Sequence, residues 1–258
     1  RKAGHRHQGY RLHVTRPWRN TGSSGQPDCN CPPLSALYPV FLLLVMNHFL
    51  RYIWFVFIVR PLIMFGIGLN IRHRERLTLK PPFIIVANHN SHLDTMVLAS
   101  LFPWKTLKKF RPVAAMDYFM RNGALAWFAT KIIGIIPIER GSRSSGEDPL
   151  KGCTEALDRG EILLLFPEGT RGEPEQMASF KKGIAHLARR HPHIPVIPVF
   201  MHGLGKSLPR GEFVLVPFIC DVVIGEPMEA ADNNKLFMEQ LSEKIKSMKS
   251  EINLSPWE

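Results

Sequence analysis

The chain has 258 residues, 45% apolar and 21% charged, with a formal net charge of +11 and a pI of about 9.8. That length and apolar content fit a folded protein with a substantial core, and exclude a chain that is disordered throughout. The cysteines, Cys29, Cys31, Cys153 and Cys220, have neither zinc-finger nor C-x-x-C spacing, so reduced thiols are expected rather than a disulfide framework. The basic surplus fits an anionic partner: nucleic acid, membrane lipid or a phosphorylated substrate.

Residues 1–33 are basic, rich in Gly, Pro and Ser, and without apolar periodicity, which predicts a disordered basic extension. They lack the apolar run and cleavage site of a signal peptide. The chain opens on Arg1, whereas Met46 opens "MNHFLRYIWFVFIV", so residues 1–45 are expected to be in part an upstream extension. Residues 34–71 are strongly apolar, but Arg51 and Arg60 interrupt the run and Pro61 should kink a helix. The segment 34–75 therefore reads as membrane-associating: one or two helices embedded in or lying on the bilayer. A single true span and a helix pair packed on a soluble core are the other readings.

From residue 80 strand and helix patterns alternate. "PFIIVA" reads as a strand, 92–102 as a helix, "RPVAAM" as a strand, 118–132 as a helix and "IIPIE" as a strand. "EDPLKGCTEALDRG" has the marks of a helix: Asp148 as N-cap, Pro149 at the first position and Gly160 beyond the end. "EILLLF" is a buried strand and "SFKKGIAHLARR" a helix, followed by strands "IPVIPVFM", "EFVLVPF" and "CDVVIG". Residues 231–252 carry Phe237, Leu241, Ile245, Met248 and Ile252 on one helical stripe. The pattern predicts an α/β domain over 76–258, a mixed central sheet flanked by helices with one antiparallel portion near the end.

"VANHNSHLDTM" (86–96) places two histidines and an aspartate just after an apolar strand. Ser91-x-x-Asp94 is also a capping box, so the stretch could simply start a helix. On a helix, residues two apart point about 200° away from each other, so His92 cannot face Asp94. His89, in the turn before the helix, can fold back to it. "LLLFPEGTRG" (163–172) is a strand emptying into a glycine-containing turn with a hydroxyl and an arginine, donors suited to phosphate. "GIIPIERG" places Arg140 after a short strand, and "VIPVFMHG" places His202 after another.

His89-x-x-x-x-Asp94, Gly134-x-x-Pro137-Ile138-x-Arg140, Phe166-Pro167-Glu168-Gly169-Thr170-Arg171 and Val196-Ile197-Pro198-Val199 occur in this order. Together they resemble the four motifs of the lysophospholipid (glycerolipid) acyltransferase family, over roughly residues 50–226. One departure is Gly172, where the family usually has serine. The resemblance implies an enzyme, most like the 1-acylglycerol-3-phosphate acyltransferases. Such an enzyme moves an acyl group from acyl-CoA or acyl-carrier protein to a lysophospholipid hydroxyl, giving phosphatidate from 1-acylglycerol 3-phosphate. His89 would be the base and Asp94 its partner. Arg140 and Arg171 would hold the phosphate, Gly169 and Thr170 would shape the turn, and Glu168 would brace it.

The chemistry is consistent. A glycerol hydroxyl is a weak nucleophile at pH 7 and needs a neutral histidine within hydrogen-bond reach. An acid behind that histidine fixes its tautomer and stabilises the imidazolium. The thioester is a co-substrate, and neither a metal nor a bound organic cofactor is implied. The expected partners are membrane lipid, the acyl donor and the lysophospholipid, with no nucleic acid. The expected place is the cytoplasmic face of a membrane, of the bacterial inner-membrane kind. Acylation of another lysolipid, and a catalytically inactive membrane lipid-binding module, remain as alternatives. "HGLGKSLP" is not a nucleotide-binding P-loop, since Phe200 stands where that loop needs glycine, and no G-x-S-x-G elbow of a serine hydrolase occurs.

Overall fold

Strands covered on both faces read as continuous apolar runs, and Phe-Ile-Ile-Val-Ala is such a run. In the computed structural model it is strand β2 (Phe83–Ala87), buried at every residue, at the centre of a sheet with seven strands among the described residues. The structure describes residues 34–119, 122–139, 148–169, 180–207, 216, 219–231 and 233–252. The expected extension over 1–33, and all but Val216 of the expected strand "EFVLVPF", lie outside those residues. The chain divides into units 1–40 and 41–258; of the first, only the helical residues 34–40 are described.

The other strands are β1 (Gly68–Arg72), β3 (Phe110–Ala115), β4 (Ile136–Ile138), β5 (Ile162–Leu165), β6 (Val196–His202) and β7 (Ile219–Ile224). Their spatial order is β1-β7-β6-β2-β5-β3-β4. Every neighbouring pair is parallel except β6 with β7, the antiparallel portion expected near the end. Val86 lies opposite Leu165 on one side and Pro198 on the other, so β2, β5 and β6 end at the same edge of the sheet. In open α/β sheets that carboxyl edge is where ligands bind.

The apolar segment forms α1 (Leu34–Ile53), a π-helix over Trp54–Val59, and α2 (Arg60–Gly66). Phe41–Gly66 is thus a helix of 26 residues with mean hydropathy 1.9, long and apolar enough to cross a membrane. Pro61 sits inside this continuous helix, where the π turn passes into α2, and has no N–H to give to the ladder there. Arg51, Phe55, Val59 and Ile63 are buried against the sheet domain. Residues four apart drift by about 40° round an α-helix; the wider π turn drifts the other way, which keeps this stripe straight. Arg51 donates from Nη2 to the carbonyls of Leu107 and Phe110 at 3.0 and 2.9 Å, and Arg60 to that of Phe102 at 2.7 Å. The expectation of a helical segment through residue 75 needs correction at its end. The helix stops at Gly66, and residues 68–72 are the edge strand β1, paired with β7. Apolar residues in that stretch satisfy an edge strand as well as a helix.

Of the remaining helices, α3 (Leu93–Ser100) and α4 (Trp104–Leu107) follow β2, and α5 (Met116–Phe119) follows β3. The expected helix over 118–132 is broken. After α5 it restarts as α6 (Gly123–Trp127), with the Asn122 side chain accepting from the Ala124 N–H, and runs on as a π-helix over Phe128–Ile133. Next come α7 (Lys151–Asp158), α8 (Gly183–Arg190), α9 (Leu204–Ser207) and α10 (Asn234–Glu251). Phe83, Ile85 and Ala87 face the layer that contains Phe55, Val59 and Val97. Ile84 and Val86 face the layer of α7, α8 and α10, where the predicted stripe of Phe237, Leu241, Ile245, Met248 and Ile252 is buried.

Candidate active site

At the end of β2 the chain must leave the sheet without stranding its polar groups. Asn88 does this with its side chain. Its Oδ1 accepts from the Met201 N–H at 2.7 Å and its Nδ2 donates to the Met201 carbonyl at 2.8 Å, as one more strand residue would. Asn90 donates to the same carbonyl at 3.0 Å. The loop that carries His89 is thereby pinned to β6, and His89 sits between two buried asparagines.

Asp94 lies in the first turn of α3 and has no exposed surface. Its Oδ2 accepts from the backbone N–H groups of Asn90 and Ser91 at 2.6 and 2.9 Å, and lies 2.9 Å from His89 Nδ1. Its Oδ1 has no partner among the described residues. Ser91 Oγ accepts from the Leu93 N–H at 3.3 Å. The helix-capping and histidine-pairing readings therefore both hold: the carboxylate that closes the capping box also holds the imidazole. His92 lies on the exposed side of the turn. Burial pushes the Asp94 carboxyl above its ordinary pKa, opposed by His89 and by the Ser91 and Asn90 amides.

The turn after β5 meets this loop from the next strand. The Phe166 ring stacks on the His89 imidazole with centroids 4.0 Å apart and planes 19° off parallel. Glu168 is buried, and its Oε1 accepts from the His89 backbone N–H at 3.2 Å. It thus holds the main chain of His89. Gly169 has φ of +71°, and a Cβ there would stand 2.7 Å from Lys181 Cε. Lys181 donates its N–H to the Pro167 carbonyl at 2.8 Å, which folds its side chain over the turn.

Gly134, the first residue of the second motif, has φ of +86° and ends the π-helix. A Cβ there would stand 2.7 Å from the guanidinium nitrogens of both Arg51 and Arg111. Arg111 donates from Nε and Nη2 to Glu161 Oε1 at 2.9 and 2.7 Å, and Arg159 donates to Oε2 at 3.0 Å. Burial pushes the Glu161 carboxyl up, but the bonds and charges of Arg111 and Arg159 outweigh it and hold its pKa below the ordinary value. Arg140 and Arg171, the expected phosphate contacts, and Thr170, expected to shape the turn, lie outside the described residues. Among the described residues no group of three or more His, Cys, Asp or Glu could hold a metal.

The family model named Acyltransferase matches residues 68–202, a little over half of the chain and all of the strand-end elements just described. The chain belongs to the acyltransferase family. It is 31% identical over 204 residues to the chloroplastic 1-acyl-sn-glycerol-3-phosphate acyltransferase LPAT1 of Arabidopsis thaliana, covering 78% of this chain and 54% of that protein. With the 1-acyl-sn-glycerol-3-phosphate acyltransferase of Saccharomyces cerevisiae it shares 29% over 202 residues, covering 75% and 64%. The chain thus spans about half to two thirds of the length of these curated relatives. The crystal structure of the 1-acyl-sn-glycerophosphate acyltransferase PlsC from Thermotoga maritima matches at a TM-score of 0.60 and 20% identity. It covers 84% of this chain and 99% of that one, a likeness of fold.

Asn88, Asn90, Phe166 and Lys181 escaped the sequence reading as site residues. The two asparagines were visible, since they flank His89 directly after a buried strand. Lys181 was not, because only the missing Cβ of Gly169 makes room for it.

Proposed function

We propose that this protein is an O-acyltransferase that moves a fatty acyl group from a coenzyme A or acyl-carrier-protein thioester to the free hydroxyl of 1-acylglycerol 3-phosphate, giving phosphatidate. One observation carries the reading: a buried Asp94 carboxylate 2.9 Å from Nδ1 of a partly exposed His89, at the carboxyl edge of the sheet. Family membership and the names of the relatives support the same chemistry and acceptor.

With Nδ1–H donating to Asp94, His89 Nε2 is left as an acceptor. It takes the proton of the acceptor hydroxyl as that oxygen attacks the thioester carbonyl. Asp94 stabilises the imidazolium that forms. The tetrahedral intermediate collapses, the carbon–sulfur bond breaks, and His89 returns the proton to the departing thiolate, so one ester and one free thiol leave. The stacked Phe166 ring and the Glu168 brace hold the imidazole in position for both transfers. Arg140 and Arg171 hold the acceptor's phosphate in this reading, with Gly169 and Thr170 shaping the turn. No metal or bound cofactor takes part.

The bare side of helix 41–66 lies in the surface of a membrane, on the cytoplasmic side where the soluble thioester is available. Phe57, Met64 and Phe65 are 65%, 72% and 81% exposed, while Arg51 and Arg60 on the other side engage carbonyls of the domain. A helix docked in this way fits an interfacial anchor better than a lone span. The test is release of free thiol with formation of lipid product when the full chain in vesicles meets acyl-CoA and a panel of lysolipids. Phosphatidate from 1-acylglycerol 3-phosphate is expected, with His89→Ala and Asp94→Ala nearly inactive and His92→Ala keeping much of its turnover. Turnover that survives at His89→Ala, or that is lost equally at His92→Ala, overturns the assignment.

A further inference from the structure

A groove of about 770 Å³ runs between α8 and α10, a volume within the range of small-ligand sites. Lys182, His186, Lys235 and Lys246 line it together with Phe180 and Met238, and the one acid among the described lining residues, Glu239, lies 3.8 Å from Lys235. It therefore offers a surplus of cations around an apolar strip, the complement of a phosphorylated aromatic ligand. Asn234 adds a directed group. Its Nδ2 lies 3.4 Å from His186 Nδ1, while its buried Oδ1 has no partner among the described residues and can accept from an exocyclic amine.

Its place in the fold selects among anions. Lys182 directly follows Lys181, the residue folded over Gly169, so one end of the groove adjoins the turn that braces His89. The groove lies in the α8 and α10 layer, across the sheet from the helix with the bare apolar face. A lipid headgroup held at that apolar face is on the wrong side of the sheet; a water-soluble anion is not. We infer that this groove binds the 3′-phosphorylated adenine nucleotide end of a coenzyme A thioester, whose pantetheine arm carries the acyl group over the Gly169 turn to His89. This rests on the acyltransferase reading above.

The test uses the full chain in vesicles and the double variant Lys235→Glu with Lys246→Glu, both changes being on the surface of α10. Binding of adenosine 3′,5′-bisphosphate is measured by calorimetry, without turnover, and KM is measured for acyl-CoA and for acyl-pantetheine, which lacks the nucleotide. Saturable binding to the wild type is expected, weakened about tenfold or more in the variant by loss of two charge-assisted contacts. The KM for acyl-CoA should rise likewise, while the two proteins use acyl-pantetheine alike. Absence of bisphosphate binding, an unchanged KM for acyl-CoA, or equal losses with both donors overturns the inference. So does displacement by anionic vesicles with no response to the bisphosphate. Binding without any acyl transfer would sink the acyltransferase reading and leave the groove a nucleotide site; transfer without binding would do the reverse.

Discussion

The loop after β2 and the helix 41–66 solve opposite problems. In the loop, polar groups with no ladder to join are tied down one by one: Asn88 on Met201, the Asn90 and Ser91 amides on Asp94, and the His89 amide on Glu168. In the helix the backbone bonds are internal, and only one side finds a partner, while Phe41, Phe49, Phe57 and Phe65 stay bare. The difference teaches which region is complete in water. The loop holds its geometry unaided; the helix needs a second apolar medium to cover about half its circumference.

That contrast can be broken from either side. The largest effect expected is at the pair: His89→Ala or Asp94→Ala should lower kcat by about 10³-fold or more, as for loss of a general base or its orienting acid. Asp94→Asn keeps the size of the carboxyl but loses the charge that stabilises the imidazolium, so its kcat should fall by a similar factor. Turnover near the wild-type level would show that Asp94 does not act through His89. On the docked side of the helix, Phe55→Ala should cost about 3–5 kcal/mol of stability in a denaturant titration. Glu168→Ala should cost about 1–3 kcal/mol by leaving the His89 amide without its partner, whereas Glu168→Gln keeps an acceptor and most of the turnover. Equal loss of turnover in both would mark Glu168 as a proton carrier instead. The smallest change in fold stability, within about 0.5 kcal/mol, is expected at Phe57→Ser with Phe65→Ser. The same pair should weaken vesicle binding by about 10-fold or more, since each ring buries about 1.5–3 kcal/mol of apolar surface.

How much could be read beforehand follows the same division. His89 and Asp94 are five residues apart, so helix geometry alone could pair them, and the stripe Phe237, Leu241, Ile245, Met248 needed only the helical period. The strands from β2 onward, and the reversal at β7, followed from apolar runs bounded by turn residues. Arg51 read as a break in a membrane span, because nothing nearby in sequence announces that the Leu107 and Phe110 carbonyls receive it. β1 was hidden for the same reason: its partner β7 lies some 150 residues away. Phe166 could be named as part of a motif, but its stacking on His89 depends on β2 and β5 being neighbours. Contacts within one turn were legible, and those across the sheet were not.

Only Ile67 separates the end of α2 at Gly66 from the start of β1 at Gly68. A joint that short cannot swivel freely, and β1 is zipped to β7 along its whole length. On the interfacial placement proposed above, the helix acts as an outrigger rather than a tether: it would fix how high the strand-end loops ride above the lipid and which way they face. The lysolipid of that proposal would not have to wait for the domain to tumble into register, because every docked molecule would present the same edge to the bilayer. Inserting a flexible glycine–serine spacer after Gly66 would keep the protein on the membrane but let it wobble, turning a guided encounter into a search.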